Sequence, residues 1–486
     1  MAKLMLAVKN LSEFLFHNDL SRPYLVGEES TYNYGRAIDA ATRLASYLSA
    51  LGIKGQNVLV FATQTPETIL SFYGILMSGN AYVPLDPSQV EKKVKSVIAK
   101  AGIKFQICLG EEEPFEGLIP IYFSEAMKYD PRKEDIAAFR ETWDENAPAY
   151  IVFTSGSTGE PKGVVKSHRA MFSFVKSFLE QFPIKEERMA SQSPFYFDAS
   201  MKDVYLSVAS NSTLYIPSRT YFALPTKIMQ YLVDHEITYL CWVPSALSLI
   251  ARVRLMKYYP LPHLRYVFFV GEVFAAKYLN AWRAAYPSAR FINLYGSSEL
   301  AGVCLYYEIT RDLGLEEAIP LGKPLPGNHV YLHDEEILIQ SEQIAVGYLG
   351  EEERNRLTFE VIEGKKTLHS GDYGYVDSEG NFVFSCRKDF QIKHMGHRIE
   401  LQEIELAYLS LPYVEQCCCV LEEKGDRIVL FLSSSDSSLD VAKVLSDGES
   451  LLSPYMRPND VKILPSLPLS PNGKIDRVAL KSSLAK

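Results

Sequence analysis

Long apolar runs are missing from this 486-residue chain, and no stretch approaches the ~18 to 20 residues that cross a bilayer. The N-terminal MAKLMLAVKNLSEFLF meets polar and acidic residues too early for the apolar region of a signal peptide. Both absences predict a cytoplasmic protein without stable membrane insertion. A basic surplus is missing as well: 50 Lys and Arg stand against 59 Asp and Glu, for a formal net charge of -9. With no basic run carrying interleaved aromatics, this excludes nucleic acid and anionic membrane as expected partners. Cysteine is sparse. The seven are Cys108, Cys241, Cys304, Cys386 and the run Cys417, Cys418, Cys419, an odd number without disulfide-framework or zinc-ligand spacing, so reduced thiols are expected. On a strand the run would point alternately to opposite faces and could not aim three sulfurs at one metal, which makes it small buried filler. Repeats and low-complexity tracts are absent too.

What is present is the composition of a globular protein, 47% apolar and 22% charged, in a chain too long for one ordinary core. YNYGRAIDAATRLASYLSALGI has the spacing of an amphipathic helix ending near Gly52, followed by an apolar strand in NVLVFAT and a helix in TPETILSFYGILMSG. The β-rich runs KFQICLG, YIVFT, STLYIP, TYLCWVP, RYVFFVG and RFINLYG continue an α/β alternation that predicts covered, largely parallel sheets. After about residue 325 shorter runs (HVYLHD, EEILIQ, YGYVD, NFVFSC) predict a small antiparallel or barrel-like unit. The segment after Asp389 has the pattern strand, helix, two strands, helix and a Pro-rich tail, as in a small α+β domain. The predicted fold class is therefore α/β, with a core over residues 1–388 and a C-terminal α+β domain over 389–486.

The strongest local signal is YIVFTSGSTGEPKGVVKSH, an apolar strand running into Thr154, Ser155, Gly156, Ser157, Thr158, Gly159 and then Lys162. Glycines let backbone N–H groups converge on anionic oxygens, hydroxyls add donors, and the lysine adds a mobile positive charge. Pro161 stands immediately before the lysine, so this is not a Walker A loop, and a merely flexible polar turn would not need this order of residues.

With this loop, AYVPLDPS, FYFDAS, NLYGSSE, HSGDYGYVD, CRKDFQIKHMGHRIELQEIE and LPLSPNGKIDR follow in one order, and the whole chain resembles the adenylate-forming superfamily of acyl-CoA synthetases, luciferases and peptide-synthetase adenylation domains. The resemblance implies a large N-terminal part of two covered sheets plus a small barrel, a mobile C-terminal domain, and ATP with Mg²⁺ as cofactors. It places Tyr295 where adenine stacks, with Gly296 and Ser298 of the same segment at the nucleotide, and Glu299 at Mg²⁺, a hard cation suited to carboxylate. Asp372 falls at the ribose hydroxyls, Arg387 near the nucleotide, and Gly271 at the adenine edge. Lys474 is the expected catalytic cation, stabilising charge on the phosphoryl oxygens as a carboxylate attacks the α-phosphorus. Asp389 matches the hinge of the C-terminal domain, and Lys393 and Gly396 lie on the loop that swings in for a thioester step. Cys386 replaces the family's usual glycine ahead of the hinge.

The acid is read, by the same resemblance, at Asp198, Ala199, Lys202, Cys241, Phe268, Val270, Leu294, Gly302 and Val303, with bulky members predicting a small side-chain pocket. In amino-acid-activating members the Asp198 position pairs with the substrate's α-ammonium, since a buried carboxylate needs such a partner. Within this family the chain resembles stand-alone ligases that load D-alanine onto a carrier protein, through FDAS followed by Asp203 and Tyr205, GEV at 271–273, VGYLG at 346–350 and DFQIK at 389–393. No segment after Lys486 leaves room for a fused carrier. Two positions depart: Val270 stands for a cysteine and Lys202 for an apolar residue. A Lys202 facing inward favours an acidic or polar side chain on the substrate; facing outward or paired with Asp203, it leaves D-alanine as candidate. The expectation is thus an aminoacyl-AMP former that loads the phosphopantetheine thiol of a separate carrier protein. An acyl-CoA synthetase is the alternative, and an inert scaffold is opposed by retention of Lys474, Glu299 and Asp372.

Overall fold

A computed structural model describes residues 11–89, 91–131, 144–154, 161–315, 317–387, 391–394, 397–422, 427–436, 439–449, 451–452 and 456–484. Among these residues three sheets build the core. A nine-stranded sheet runs parallel through Pro23–Val26, Thr213–Tyr215, Arg188–Ala190, Tyr239–Trp242, Tyr266–Val270 and Arg290–Tyr295, with antiparallel strands at both edges. A seven-stranded sheet joins parallel strands, including Asn57–Phe61 and Ala81–Leu85, to the antiparallel hairpin of Pro148–Thr154 and Lys162–Ser167. A five-stranded antiparallel sheet from His329 to Arg387 is the small barrel-like unit that the change in texture predicts.

Two-residue periodicity explains how one strand serves two cores. Tyr239, Cys241, Tyr266, Phe268, Ile292 and Leu294 pack into the large core between the sheets, while Leu240, Trp242, Val267, Phe269 and Phe291 face a second core under the outer helices. The helix Tyr34–Ala50 begins with the Asn33 side chain accepting from the Arg36 N–H and buries its alanine and leucine stripe. The helix Pro66–Met77 is buried almost all round, with a proline in its first turn.

The C-terminal unit pairs Gln416–Glu422 antiparallel with Arg427–Ser433, and the latter parallel with Asp460–Leu464. Cys417 and Cys419 enter one apolar cluster and Cys418 the opposite one, as alternation requires. The tail holds more structure than its prolines suggest: Pro465 and Pro468 lie just beyond the strand Asp460–Leu464, and Asp476 caps a last helix, Arg477–Ser483. No helix among the described residues is long and apolar enough to cross a membrane.

Polar contacts join this unit to the core. Arg252 meets Glu415 at 2.7 Å, and Lys277 donates to the carbonyls of Leu411 (3.0 Å) and Val414, just beyond the helix Leu401–Leu409. A cavity of about 390 Å³ separates the two parts beside these contacts, lined by Ser245, Leu249 and Arg252 on one side and Glu415, Leu467 and Gly473 on the other.

Candidate active site

The phosphate-loop hairpin closes where Thr154 pairs with Lys162; Ser155, Gly156, Ser157, Thr158 and Gly159 lie outside the described residues. The Lys162 ammonium stands 3.2 Å from a Glu299 carboxylate oxygen and 4.8 Å from the centre of the Tyr348 ring. Tyr348 donates its hydroxyl to the same oxygen at 2.6 Å, and its strand, Gly347–Tyr348, is hydrogen-bonded to Val164–Val165. Burial opposes charge on Glu299, but Lys162 and the Tyr348 hydroxyl outweigh it and hold the carboxyl at about 2, so it is ionised. The hydroxyls of Thr154, at the end of the hairpin, and of Ser297, two residues before Glu299, are buried without a hydrogen-bond partner.

Parallel pairing sets the sheet edge at which the nucleotide is expected. Val270 is opposite Leu294, so Gly271 and Tyr295 follow at the same C-terminal edge, the edge of an open sheet at which ligands bind. Tyr295 donates its hydroxyl to Asp372 at 2.5 Å, and Asp372 is backbone-paired with Arg387 in the next strand. Tyr295, Asp372 and the Arg387 backbone are therefore brought together as expected, with Gly296 and Ser298 beyond Tyr295. Gly271 has φ +96°, and a methyl group placed on it would lie 3.7 Å from the Lys474 ammonium. Lys474 comes from a tight turn in which the Ser470 N–H donates to the Lys474 carbonyl at 2.6 Å. Its charge also reaches Glu272, whose carboxyl is raised by burial and drawn back by the Ser245 N–H (2.9 Å) and Lys474. A lysine almost at the end of the chain thus sits against the edge of the nine-stranded sheet. Asp389 and Gly396 lie outside the described residues, and Lys393 is placed only by its backbone, in the hairpin Gln391–His394 with His397–Glu400.

On the acid side Asp198 opens the helix Asp198–Ala209. Cys241, Phe268, Leu294 and Val303 are buried, and Phe178, Phe182 and Tyr239 cover the Phe268 ring. Val270 and Gly302 are half-buried and Ala199 exposed, so the inner end of this set is made of packed, buried side chains and the outer end is more open. Gly302, at φ +75°, lies so close to Phe174 that a Cβ there would fall 2.3 Å from the ring. Lys202 turns inward: it is buried, donates to the Ala199 carbonyl at 2.6 Å, and lies beside Cys241 and Asp203. Burial lifts the Asp203 carboxyl to about 6, and neither of its oxygens accepts a hydrogen bond.

One arrangement differs from expectation. The Asp198 carboxylate already has partners, Lys166 at 3.1 Å and the Tyr150 hydroxyl at 3.0 Å. The sequence signal was available, since Lys166 interrupts an apolar strand on the face shared with buried Val164. Tyr348 and Glu272 lie in the VGYLG and GEV segments that carry the resemblance, but nothing local gave them a role; pairing between distant segments brings them in.

With this geometry in view, the model of the AMP-binding enzyme matches residues 17–349, and that of the AMP-binding enzyme C-terminal domain matches residues 403–474. The chain belongs to the AMP-binding enzyme family. It is an ATP-dependent, AMP-forming ligase. The D-alanine--D-alanyl carrier protein ligase of Staphylococcus aureus (strain MRSA252) is 29% identical over 455 residues, 91% of this chain and 92% of that protein. Klebsiella oxytoca NpsA, solved with 3-hydroxyanthranilyl-AMSN, superposes with a TM-score of 0.86 at 20% identity over 99% of this chain and 100% of its own. The anthranilate CoA ligase AuaEII, solved with anthranoyl-AMP, gives 0.85 at 18% identity over 98% of both chains. These two likenesses show the fold, an α/β core with a small C-terminal domain, which the sequence pattern anticipated. No cluster of three or more His, Cys, Asp or Glu suited to a metal occurs among the described residues, but Glu299, ionised and largely shielded, would suit a Mg²⁺ ion that also takes phosphate oxygens. One carboxylate plus phosphate oxygens is the usual Mg²⁺ environment in nucleotide enzymes.

Proposed function

We propose that this ligase activates a small amino acid as its acyl-AMP and transfers it to the phosphopantetheine thiol of a separate carrier protein. The observation that carries the first step is Lys474 against Gly271, on the sheet edge that also holds Tyr295 and Asp372. Tyr295 stacks adenine, with Gly296 and Ser298 beside it, Asp372 accepts from the ribose hydroxyls, and Arg387 lies near the nucleotide. Thr154 and Lys162 bind the phosphates together with the loop residues Ser155 to Gly159. The acid's carboxylate oxygen bonds to the α-phosphorus while the α–β phosphoanhydride bond breaks and pyrophosphate leaves. Lys474 neutralises the charge that grows on the phosphoryl oxygens. Glu299 would hold Mg²⁺, which supplies further charge neutralisation when bound. The small-acid reading rests on the packed inner end formed by Cys241, Phe268, Leu294 and Val303, with Ala199, Val270 and Gly302 nearer the opening. The amino-acid and carrier readings rest on the name of the Staphylococcus relative and on Asp198 at the head of its helix.

In the second step the thiol sulfur attacks the acyl carbonyl and AMP leaves, with Asp389 as hinge and Lys393 on the incoming loop. For that rotation the contacts Arg252–Glu415 and Lys277 to the Leu411 and Val414 carbonyls must open. Lys277→Ala removes a half-buried, charged donor, and hydrogen bonds to charged groups contribute about 1.5 to 3 kcal/mol. We expect adenylation to slow by roughly tenfold, with thioester formation from supplied acyl-AMP unchanged or faster. Rapid-quench assays of each half-reaction separate these outcomes; equal slowing of both would remove these contacts from the account.

The test of the transfer reading is acceptor choice. Purified enzyme, ATP, Mg²⁺ and radiolabelled amino acid are incubated with a phosphopantetheinylated carrier protein or with coenzyme A. Label on the carrier and none on coenzyme A supports the proposal; coenzyme A as the sole competent thiol replaces it with an acyl-CoA synthetase.

A further inference from the structure

Lys166 occupies a position built for an apolar side chain. It lies directly opposite Tyr150 across the hairpin, on the face that Val164 presents to the main core, and is fully buried. Tyr150 in turn stacks on Tyr82 at 5.2 Å. From this floor the Lys166 ammonium reaches one Asp198 oxygen at 3.1 Å and the Leu300 carbonyl, while Tyr150 donates to the other Asp198 oxygen at 3.0 Å. Both carboxylate oxygens are engaged from inside the protein, and only 12% of the Asp198 side chain is exposed.

The charges around the acid site balance without a substrate cation. Glu299 is matched by Lys162, Asp198 by Lys166, and Lys202 lies beside Asp203. Lys202 is also close enough to Asp198 to feel its charge, so a substrate α-ammonium would be a third cation on one carboxylate. Like charges gathered around one carboxylate in a poorly solvated site repel one another. An α-hydroxyl meets no such opposition. Each Asp198 oxygen keeps a further lone pair, and a hydroxyl donates to it without adding charge.

We propose that Lys166 is a specificity-determining residue, the internal counter-ion of Asp198, and that it turns the acid site from 2-amino acids toward their 2-hydroxy counterparts. The inference rests on the adenylating reading of the site, is independent of the acceptor thiol, and replaces the amino acid of that reading by its 2-hydroxy counterpart. It leaves the small pocket intact and changes only the group sought at the α-carbon.

The experiment measures kcat/KM by ATP/pyrophosphate exchange for matched pairs: alanine and lactate, serine and glycerate, glutamate and 2-hydroxyglutarate, each as both enantiomers. It is run on the wild-type chain and on Lys166→Met, with Lys166→Gln as a second variant should the first fail to fold. For the most active pair, the wild type should use the hydroxy acid at least as well as the amino acid. Either substitution should shift the ratio toward the amino acid by about tenfold to a hundredfold, the range for losing or gaining one charge-assisted contact. A wild-type preference for the amino acid above about a hundredfold, or a ratio that neither variant moves, overturns the inference. Exchange with no acid of any pair overturns the adenylating reading and the inference together.

Discussion

Replacing Lys474 with alanine will lower acid-dependent ATP/pyrophosphate exchange by about 10²- to 10³-fold, the usual loss when one preorganised charge at a developing anion is removed. Transfer of the acyl group from chemically supplied acyl-AMP to a thiol will survive. The asymmetry follows from position. Lys474 stands 3.7 Å from where a Gly271 side chain would begin, on a turn held by the Ser470 and Gly473 backbone, and the C-terminal unit that carries it meets the core through a few polar contacts. A group delivered by a separable unit serves the step for which that unit is docked. Equal loss of both half-reactions in Lys474→Ala would contradict this assignment, as would an unchanged exchange rate.

Glu299→Gln should be as damaging for a different reason. The fold holds this carboxyl at about 2 against an ordinary 4.5, which favours the ionised form by about 3 kcal/mol. Because the folded value is the lower one, that stabilisation is fully present above about pH 4.5 and is lost as pH falls toward 2. Glutamine removes the charge at every pH. It leaves Lys162 facing a neutral amide and takes away the carboxylate suited to Mg²⁺. We expect exchange to fall by about 10²-fold or more, a higher Mg²⁺ requirement for the residual activity, and a lower melting temperature at pH 7. A variant with normal exchange at low Mg²⁺ would remove Glu299 from the metal site. Normal thermal stability with lost exchange would keep its catalytic role and discard the electrostatic one.

Much of the scaffold is legible in the chain because period and punctuation agree. Apolar runs such as YVFFV and FINLY are bounded by glycines and charged residues, and each became a parallel strand with one face in each of two cores. Motif order pointed to Lys474, Asp372 and Tyr295, residues that lie between about 75 and 180 positions apart and that no local pattern would connect. Contacts made by the third dimension alone were not legible. Tyr348 reaches Glu299 because an edge strand is paired with the phosphate hairpin, and Lys277 meets the carbonyls beyond a helix more than 120 residues later. Lys202 could not be oriented from its position in a helix, since whether it faced Cys241 or solvent depended on the neighbouring strands. Lys166 could have been noticed: a lysine in GVVKS on the face of Val164 breaks an apolar alternation, and only a buried counter-charge makes that tolerable.

That hidden pair also shows how a specificity site departs from a motif while keeping its letters. The resemblance leads one to expect Asp198 to meet an α-ammonium, but its partners in the fold are Lys166 and Tyr150, which lie on a hairpin 30 to 50 residues away in sequence.

The most direct test of the central claim is ATP/pyrophosphate exchange with purified protein and Mg²⁺, acid by acid: D- and L-alanine, glycine, serine, aspartate, glutamate, their 2-hydroxy counterparts and a short fatty acid. The account predicts exchange that requires both an added small acid and Mg²⁺ and that vanishes in Lys474→Ala. Folded enzyme giving no acid-dependent exchange with any of them, or exchange with the fatty acid alone, would contradict it.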